Sequence, residues 1–181
     1  MKILFIISGS IAITKCKEIF QNLSENAVYI DCILTKSAEK IGNIKEIQKT
    51  IKGNIYTDSS AKNGKMHHIT LTRKCNLIVV CPATANIIAK YANGYADDLA
   101  TTSLIASNKQ VIFIPAMNSE MWNNSINKKN VNFLKNNGVE FIGPEYGMLS
   151  CGERGLGRLM NTKKIQKKLL QYLKKSELLK N

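Results

Sequence analysis

The segment of this chain best suited to chemistry is a glycine-rich run around one cysteine. Residues 147–158 have the sequence Gly-Met-Leu-Ser-Cys-Gly-Glu-Arg-Gly-Leu-Gly-Arg, so Cys151 has Glu153, Arg154 and Arg158 close by. Because glycine loses the most backbone entropy on ordering, four glycines in twelve residues predict a loop rather than a helix or strand. A thiol in such a loop can act as a nucleophile or a proton donor. On this segment alone, a surface loop with an incidental cysteine remains an equal alternative.

The second group able to move a proton near neutral pH is a histidine pair. His67 and His68 are the only histidines in the chain. A histidine is the side chain that most readily exchanges a proton at this pH, although a lone histidine is more often structural or exposed. The pair is therefore a candidate general base, and a structural role stays open.

Composition limits the functions that these residues can serve. The 181 residues are 44% hydrophobic, and no linker or repeat divides them, which predicts a single domain over 1–181. Five cysteines without a Cys-x-x-Cys spacing indicate neither a metal site nor a disulfide framework, and favour the cytoplasm. No apolar run has membrane-spanning length. The net charge is +13, but only three of the 26 basic residues are arginines, so we expect no nucleic-acid partner.

The elements that must position these groups alternate between strand and helix. Short aliphatic runs predict strands at 2–8, 27–34, 76–81, 110–115 and 139–142. Helical spacing predicts helices at 11–24, 37–41, 69–74, 85–91, 97–107, 128–136 and 162–175. This order is typical of an α/β fold in which a parallel sheet lies between two helical layers. The polar segment 44–65 contains either an extra helix or a mobile insertion.

Polar and small residues directly follow four of the predicted strands, where the strands' carboxyl ends share one edge of a parallel sheet. Ligands bind outside that edge in open α/β sheets. Gly9 and Ser10 open a helix there, which suits a phosphate, but the spacing is not that of a dinucleotide site. Ordinary turns and helix caps explain each motif alone about as well. The residues concerned are Ser8, Gly9, Ser10, Thr35, Ser37, Ala83, Thr84, Ala85, Asn86, Ala116 and Asn118.

Two further segments have a structural interpretation. Asp97 and Asp98 most simply cap a helix. Met121 and Trp122, the sole tryptophan, follow Asn118 closely. This pair either anchors a short helix or holds the Asn118 amide against a substrate.

Taken together, these segments resemble the flavin-dependent cysteine decarboxylases. The resemblance covers residues 2 to about 161. Its most specific part is Pro-Ala-Met-Asn-Ser-Glu-Met-Trp at 115–122, combined with Ser-Cys-Gly-Glu at 150–153. This combination is similar to the branch of the family that acts on 4′-phosphopantothenoylcysteine in coenzyme A biosynthesis. The chain departs from the family pattern at Ser125 and Asn161.

The resemblance implies a Rossmann-like, flavodoxin-like domain that binds FMN and assembles as trimers with the flavin between subunits. It implies that His68 is the catalytic base and that Cys151 is the final acid. It also implies substrate contacts from Asn118, Arg73, Met121, Ser150 and Gly152, with Arg73 at the substrate phosphate. FMN would be held by Ser8, Gly9, Ser10, Thr35, Ser37, Ala83, Thr84, Ala85, Asn86 and Ala116.

The implied reaction is an oxidative decarboxylation with no net redox change. Oxidation of the cysteinyl thiol would create an electron sink β to the carboxylate, CO₂ would leave, and Cys151 would protonate the enethiolate. The alternatives are a peptidyl-cysteine decarboxylase, a flavin prenyltransferase, a non-catalytic regulatory subunit of the same fold, and a basic nucleic-acid-binding module.

Overall fold

A six-stranded parallel sheet forms the centre of the molecule in the computed structural model, which describes residues 1–63 and 66–178. The strands follow the order β3-β2-β1-β4-β5-β6, and every neighbouring pair is parallel. Their bounds are β1 Lys2–Ile7, β2 Tyr29–Leu34, β3 Ile55–Tyr56, β4 Leu77–Ala83, β5 Val111–Pro115 and β6 Glu140–Phe141.

Nine α-helices connect and flank these strands within the described residues. They are α1 Cys16–Glu25, α2 Lys36–Ile41, α3 Ile44–Gln48, α4 His67–Lys74, α5 Ala85–Ala92, α6 Leu99–Ile105, α7 Ser119–Asn123, α8 Ser125–Asn136 and α9 Thr162–Leu178. Buried residues of α1, α2, α3 and α9 belong to one hydrophobic cluster, and those of α4, α5, α6 and α8 to another. The predicted three-layer α/β/α architecture in a single domain is confirmed.

The central strand shows why the sheet is buried on both faces. Ile3, Phe5 and Ile7 of β1 point into the first cluster, whereas Leu4 and Ile6 point into the second. Side chains alternate between the faces of a strand, so a continuous apolar run fits only a strand with helices on both sides.

The prediction that residues 147–158 form a loop without regular structure was wrong. Most of the segment lies in an antiparallel hairpin of β7 Glu145–Met148 and β8 Arg154–Arg158. A methyl group on Gly155 would collide with Ser119, and one on Gly157 with the carbonyl oxygen of Met117. The glycines therefore serve close packing of the hairpin against the end of β5, which compensates for their low strand propensity.

Other boundaries differ modestly from expectation. Residues Ile11–Lys15 form a 3-10 helix before α1, and α8 begins at Ser125 rather than 128. Segment 44–65, for which the sequence allowed either an extra helix or a mobile insertion, contains α3, β3 and a 3-10 helix at Asp58–Asn63. Residues 64 and 65 lie outside the described part of the chain. The predicted helical tail is confirmed as α9. No helix among the described residues is both long and apolar enough to cross a membrane.

The strand order reverses between β1 and β4, because the chain runs outward from β1 through β2 to β3 and then returns to β1's other side. In open α/β sheets, the carboxyl edge at such a reversal forms a crevice that binds ligands. The motifs after β1, β4 and β5 all lie at this edge.

Candidate active site

Ser8 links the two strand ends that flank the reversal point. Its hydroxyl donates to the carbonyl of Pro82 at 2.7 Å and accepts from the backbone N–H of Thr84 at 3.0 Å. Ser8 is buried, and these bonds hold the end of β1 against the end of β4. The predicted placement of both motifs at one edge is therefore confirmed.

The turn after β1 extends this network towards β5. The Ser10 hydroxyl donates to the carbonyl of Ala116 at 3.3 Å and accepts from the N–H of Ala12 as the cap of the 3-10 helix. A methyl group on Gly9 would collide with the Cβ of Ser37, so the turn after β1 lies directly against the start of α2. Only glycine permits this approach.

The remaining predicted cofactor residues lie at the same edge but use their polar groups differently. Thr35 caps α2 by accepting from the N–H of Ala38. Thr84 precedes α5 without making a side-chain cap, and its hydroxyl oxygen instead accepts from the Ser8 hydroxyl at 3.2 Å. Ser37 and Asn86 are exposed. Small residues, hydroxyls and a glycine turn at a reversal point fit the phosphate and flat ring of FMN.

A cavity of about 760 Å³ opens beside this network, between the turn after β1, the end of β5 and the β7–β8 hairpin. Five residues of the predicted site line it: Ser10, Ala116, Asn118, Ser150 and Cys151. Its volume is in the range of ligand sites for small molecules. The hairpin thus forms one wall of the candidate site.

Asn118 has its side-chain amide orientation fixed by the helix that it caps. Its Oδ1 accepts from the backbone N–H groups of Glu120 at 2.7 Å and Met121 at 3.4 Å at the start of α7. The Nδ2 group must therefore face the cavity, where it lies 3.8 Å from Cys151 Sγ and 3.3 Å from Glu153 Oε2. The cap that begins α7 also supplies an oriented donor to the site. Trp122 packs against the second hydrophobic cluster, as expected of an anchor.

Cys151 differs from the other four cysteines of the chain. It is exposed at the tip of the hairpin, and its thiol lies 3.5 Å from Glu153 Oε2. Cys16, Cys32, Cys75 and Cys81 are buried. Burial raises the pKa of the Cys75 thiol to about 11 and raises those of Cys32 and Cys81 well above the ordinary value. Only Cys151 is positioned to react with a ligand.

The base of the hairpin contains an ionic network that the sequence did not reveal. Glu145 accepts from Lys164 Nζ at 2.8 Å and lies 3.4 Å from Arg158 Nη2. The hydrogen bond from Lys164, with smaller contributions from the Asn161 N–H and Arg158, lowers the pKa of the Glu145 carboxyl. Arg158 lines the cavity, as does Lys15. Arg158 was noted in the sequence as a neighbour of Cys151 but was given no role, whereas Lys15 lies far from the cysteine along the chain and gave no local signal.

His68 and Arg73 do not line this cavity. Both belong to α4, which packs its buried residues into the second cluster, on the face of the sheet opposite α1 and α9. His67 contacts the ring of Tyr56 with a centroid separation of 5.1 Å, and His68 is half-buried. Arg73 is exposed in the last turn of the helix. Met121 and Gly152, also predicted at the substrate, are exposed near the cavity without lining it.

Comparison with known sequences gives a family match over nearly the whole chain. The family model described as Flavoprotein matches residues 1–174. The chain is 36% identical over 167 residues to the coenzyme A biosynthesis bifunctional protein CoaBC of Bacillus subtilis, covering 91% of this chain but 41% of that protein. It thus spans about two fifths of the length of that relative. It is 31% identical to a probable phosphopantothenoylcysteine decarboxylase of Streptococcus mutans, covering 95% of this chain and 98% of that protein.

Solved structures share the fold. A PPC decarboxylase mutant complexed with pantothenoylaminoethenethiol superposes with a TM-score of 0.89 at 26% identity, over 96% of this chain and 98% of that one. The FMN binding protein AtHal3 superposes with a TM-score of 0.84 at 27% identity, over 94% of this chain and 95% of that one.

Proposed function

Because the chain belongs to the Flavoprotein family, we propose that it is an FMN-dependent decarboxylase that converts 4′-phosphopantothenoylcysteine to 4′-phosphopantetheine and CO₂. The proposed activity is the decarboxylation step of coenzyme A biosynthesis, carried by one FMN-binding domain over 1–181. A relative named as a probable phosphopantothenoylcysteine decarboxylase matches 95% of this chain, which supports the proposal.

The observation that supports this proposal most directly is the pairing of Asn118 with Cys151. An amide donor held by a helix cap and an exposed thiol face the same cavity, although they are 33 residues apart in sequence. A cysteinyl substrate offers a carboxylate to the first group and, once CO₂ has left, a carbon to be protonated by the second. This arrangement suits a reaction that replaces a carboxylate with a proton.

FMN would be held by the glycine turn at Gly9, the hydroxyls of Ser8, Ser10, Thr35, Ser37 and Thr84, and the small or polar residues Ala83, Ala85, Asn86 and Ala116. When bound, it supplies two-electron oxidation of the substrate thiol and returns the electrons at the end, so the overall reaction is redox-neutral.

The chain's own residues would then handle binding and protons. Asn118 Nδ2 would hold the substrate carboxylate until it departs as CO₂. The Cys151 thiol would give its proton to the carbon that lost the carboxylate, leaving a thiolate that solvent reprotonates. Met121, Ser150 and Gly152 would contact the substrate around these two groups, and the hairpin would limit the access of water.

His68 would act as the base, and Arg73 would bind the substrate phosphate, from a neighbouring subunit. Their position on the opposite face from the cavity supports a site completed across an interface. Exposed apolar side chains near the cavity, Ile11 and Met121 among them, support association of this edge with a second copy. We propose a homotrimer in the cytoplasm, a compartment that suits five free cysteines.

Mixing two inactive variants tests the shared site. H68N and C151S chains, co-expressed with different tags and purified through both, should regain about a third of the wild-type rate of 4′-phosphopantetheine formation if each site takes His68 and Cys151 from different subunits, because every mixed trimer then has one intact site of three. A site built within one chain predicts no recovery, because every chain then has one defective group. Analytical ultracentrifugation of the wild type measures the subunit number in parallel.

Mass spectrometry of the product tests the activity itself. FMN-loaded protein, incubated without oxygen with 4′-phosphopantothenoylcysteine, should yield a product lighter by CO₂ alone. A product that has also lost two hydrogens would indicate the oxidative reaction of a peptidyl-cysteine decarboxylase. Unchanged substrate would contradict the proposed function and favour a non-catalytic flavoprotein.

A further inference from the structure

Glu153 contacts both groups that we place at the substrate, yet the proposed reaction gives it no role. Its Oε2 lies 3.3 Å from Asn118 Nδ2 and 3.5 Å from Cys151 Sγ. The single oxygen therefore lies between the amide that would hold the substrate carboxylate and the thiol that would replace it with a proton.

The Asn118 amide cannot turn to choose another partner. Its oxygen is engaged by two N–H groups of α7, so its nitrogen must donate into the cavity. The acceptor at the shorter distance is the carboxylate of Glu153, and the thiol sulfur at 3.8 Å is a weaker one. The donor proposed for a substrate carboxylate is thus occupied by a carboxylate of the chain itself.

The contact between Glu153 and Asn118 is also of a kind that a ligand carboxylate can replace easily. Glu153 and Cys151 are exposed, and Asn118 is half-buried. Among the described residues, no cationic nitrogen lies within 4.0 Å of the Glu153 carboxylate. Among those residues, the hydrogen-bond partners of the Glu153 side chain are the Asn118 amide and the Cys151 thiol, so a competing carboxylate displaces it without breaking an ion pair.

The backbone of the hairpin tip places Glu153 at this point. The Leu149 N–H donates to the Glu153 carbonyl at 2.8 Å, and the Gly152 N–H donates to the Leu149 carbonyl at 3.0 Å. Gly152 has φ 86°, a conformation that glycine adopts without strain. The turn fixes the main chain, while the long side chain of Glu153 remains able to swing away.

We propose that Glu153 is a substrate mimic: in the ligand-free site its carboxylate occupies the place of the substrate's carboxylate on Asn118, and substrate binding displaces it. The inference rests on the proposed function and adds a residue that sets substrate affinity. Once CO₂ has left, the product has no carboxylate to compete, so Glu153 returns to Asn118 and favours product release.

Titration calorimetry on FMN-loaded protein tests this inference with two ligands. The first is phosphopantothenoylserine, which keeps the carboxylate but has a hydroxyl in place of the thiol to be oxidised. The second is its decarboxylated counterpart, phosphopantothenoylethanolamine. The E153A variant should bind the first ligand roughly two- to fivefold more tightly than wild type, as expected for the loss of one weak, exposed polar competitor, and should bind the second ligand with unchanged affinity. E153Q, which keeps the side-chain size, should shift in the same direction by less.

The matched control is E120A, which removes another exposed carboxylate two residues from Asn118. In the described part of the chain, Glu120 bonds to Asn118 through its backbone N–H, and its carboxylate makes no hydrogen bond to the Asn118 side chain. Equal tightening in E120A and E153A would overturn the mimic in favour of general electrostatics. Unchanged affinity in both Glu153 variants, or tightening for both ligands, would also overturn it. If no protein binds either ligand, the proposed substrate is wrong, and the mimic falls with it.

Steady-state kinetics separate the mimic from a role in positioning Cys151. The mimic predicts a lower KM for 4′-phosphopantothenoylcysteine in E153A, with CO₂ release and final product still formed in equal amounts. Accumulation of the oxidised enethiol in E153A would show that Glu153 orients the Cys151 thiol for proton transfer, and would overturn the proposal.

Discussion

The β7–β8 hairpin and the start of α4 both present proposed catalytic groups, but the chain completes only one of these regions. At the hairpin, Cys151, Asn118 and Glu153 contact one another, and the strands pack against the end of β5 through glycines. At the start of α4, His68 is half-buried and is not among the residues that line the cavity in the described part of the chain.

This comparison shows that two catalytic side chains at the same edge of a sheet need not face the same cavity. The start of α4 packs into the second hydrophobic cluster, whereas the cavity that the hairpin walls is lined by residues at the starts of α1 and α9, on the side of the first cluster. A second copy of the chain can bring such groups together where one copy cannot. The two regions should therefore respond differently to substitution.

The largest effect is expected from the region that the chain leaves incomplete. H68N should lower the rate of CO₂ release by roughly 10²- to 10⁴-fold, because the proposed base acts before decarboxylation. Flavin absorbance should show that FMN is retained. H67N is the matched control, since His67 contacts Tyr56 and not the proposed substrate. A rate loss in H67N as large as that in H68N would indicate damage to the start of α4 rather than loss of a base.

At the hairpin, C151S should separate two steps that H68N abolishes together. CO₂ release should continue, whereas formation of 4′-phosphopantetheine should stall at the oxidised enethiol because the final proton donor is missing. Mass spectrometry of the products distinguishes the two species. Full conversion to 4′-phosphopantetheine by C151S would remove Cys151 from the mechanism.

The sequence predicted the parts of the fold that local pattern determines. The apolar runs of β1 and β4 and the helical spacing of α9 were visible, and the observed bounds of each lie within three residues of the predicted ones. The hairpin was not visible in the sequence, because glycine has a low strand propensity. The reason for its glycines is their close packing against Met117 and Ser119, which only the structure shows. Strand β3 has two residues, too few to show a pattern.

In the candidate site, too, the sequence predicted what local motifs determine and missed what the packing of the hairpin determines. The motifs at 115–122 and 150–153 predicted that Asn118 and Cys151 act together, and their placement at one cavity agrees with that prediction. The side on which Glu153 points, and the approach of Arg158 to Glu145, depend on the turn and register of the hairpin. No spacing rule gives those contacts.

A smaller effect is expected from tightening the packing of the hairpin. G157A should destabilise the fold by about 1–3 kcal/mol, since its methyl group meets the Met117 carbonyl oxygen, which is backbone and cannot rotate away. G155A should cost less, because the obstructing atoms belong to the side chain of Ser119, whose hydroxyl is buried without a partner among the described residues. Urea unfolding measures both.

The double variant G155A/S119A sharpens that comparison. Removing the Ser119 hydroxyl gives the new methyl group more room, so the double variant should be more stable than G155A alone. Equal unfolding midpoints for G155A and G157A would show that the hairpin adjusts as a whole and is not held by the two contacts individually.

The smallest effect is expected at the ionic network that ties the hairpin base to α9. E145Q should lower the free energy of unfolding at pH 7 by about 0.5–1 kcal/mol, as expected for a partly exposed ion pair. The hydrogen bond from Lys164, chiefly, lowers the folded-state pKa of Glu145, so its contribution is complete above the unfolded-state pKa of about 4.3 and is lost as the pH falls through the lower folded value. The stability difference between wild type and E145Q, from urea unfolding at several pH values, should therefore be constant from pH 7 to about pH 5 and shrink below about pH 4.

The control is E25Q, which changes an exposed carboxylate of α1 that has no ion pair in the described residues and should show no such difference. A gap that persists at low pH would mean that Glu145 acts through packing rather than through its charge.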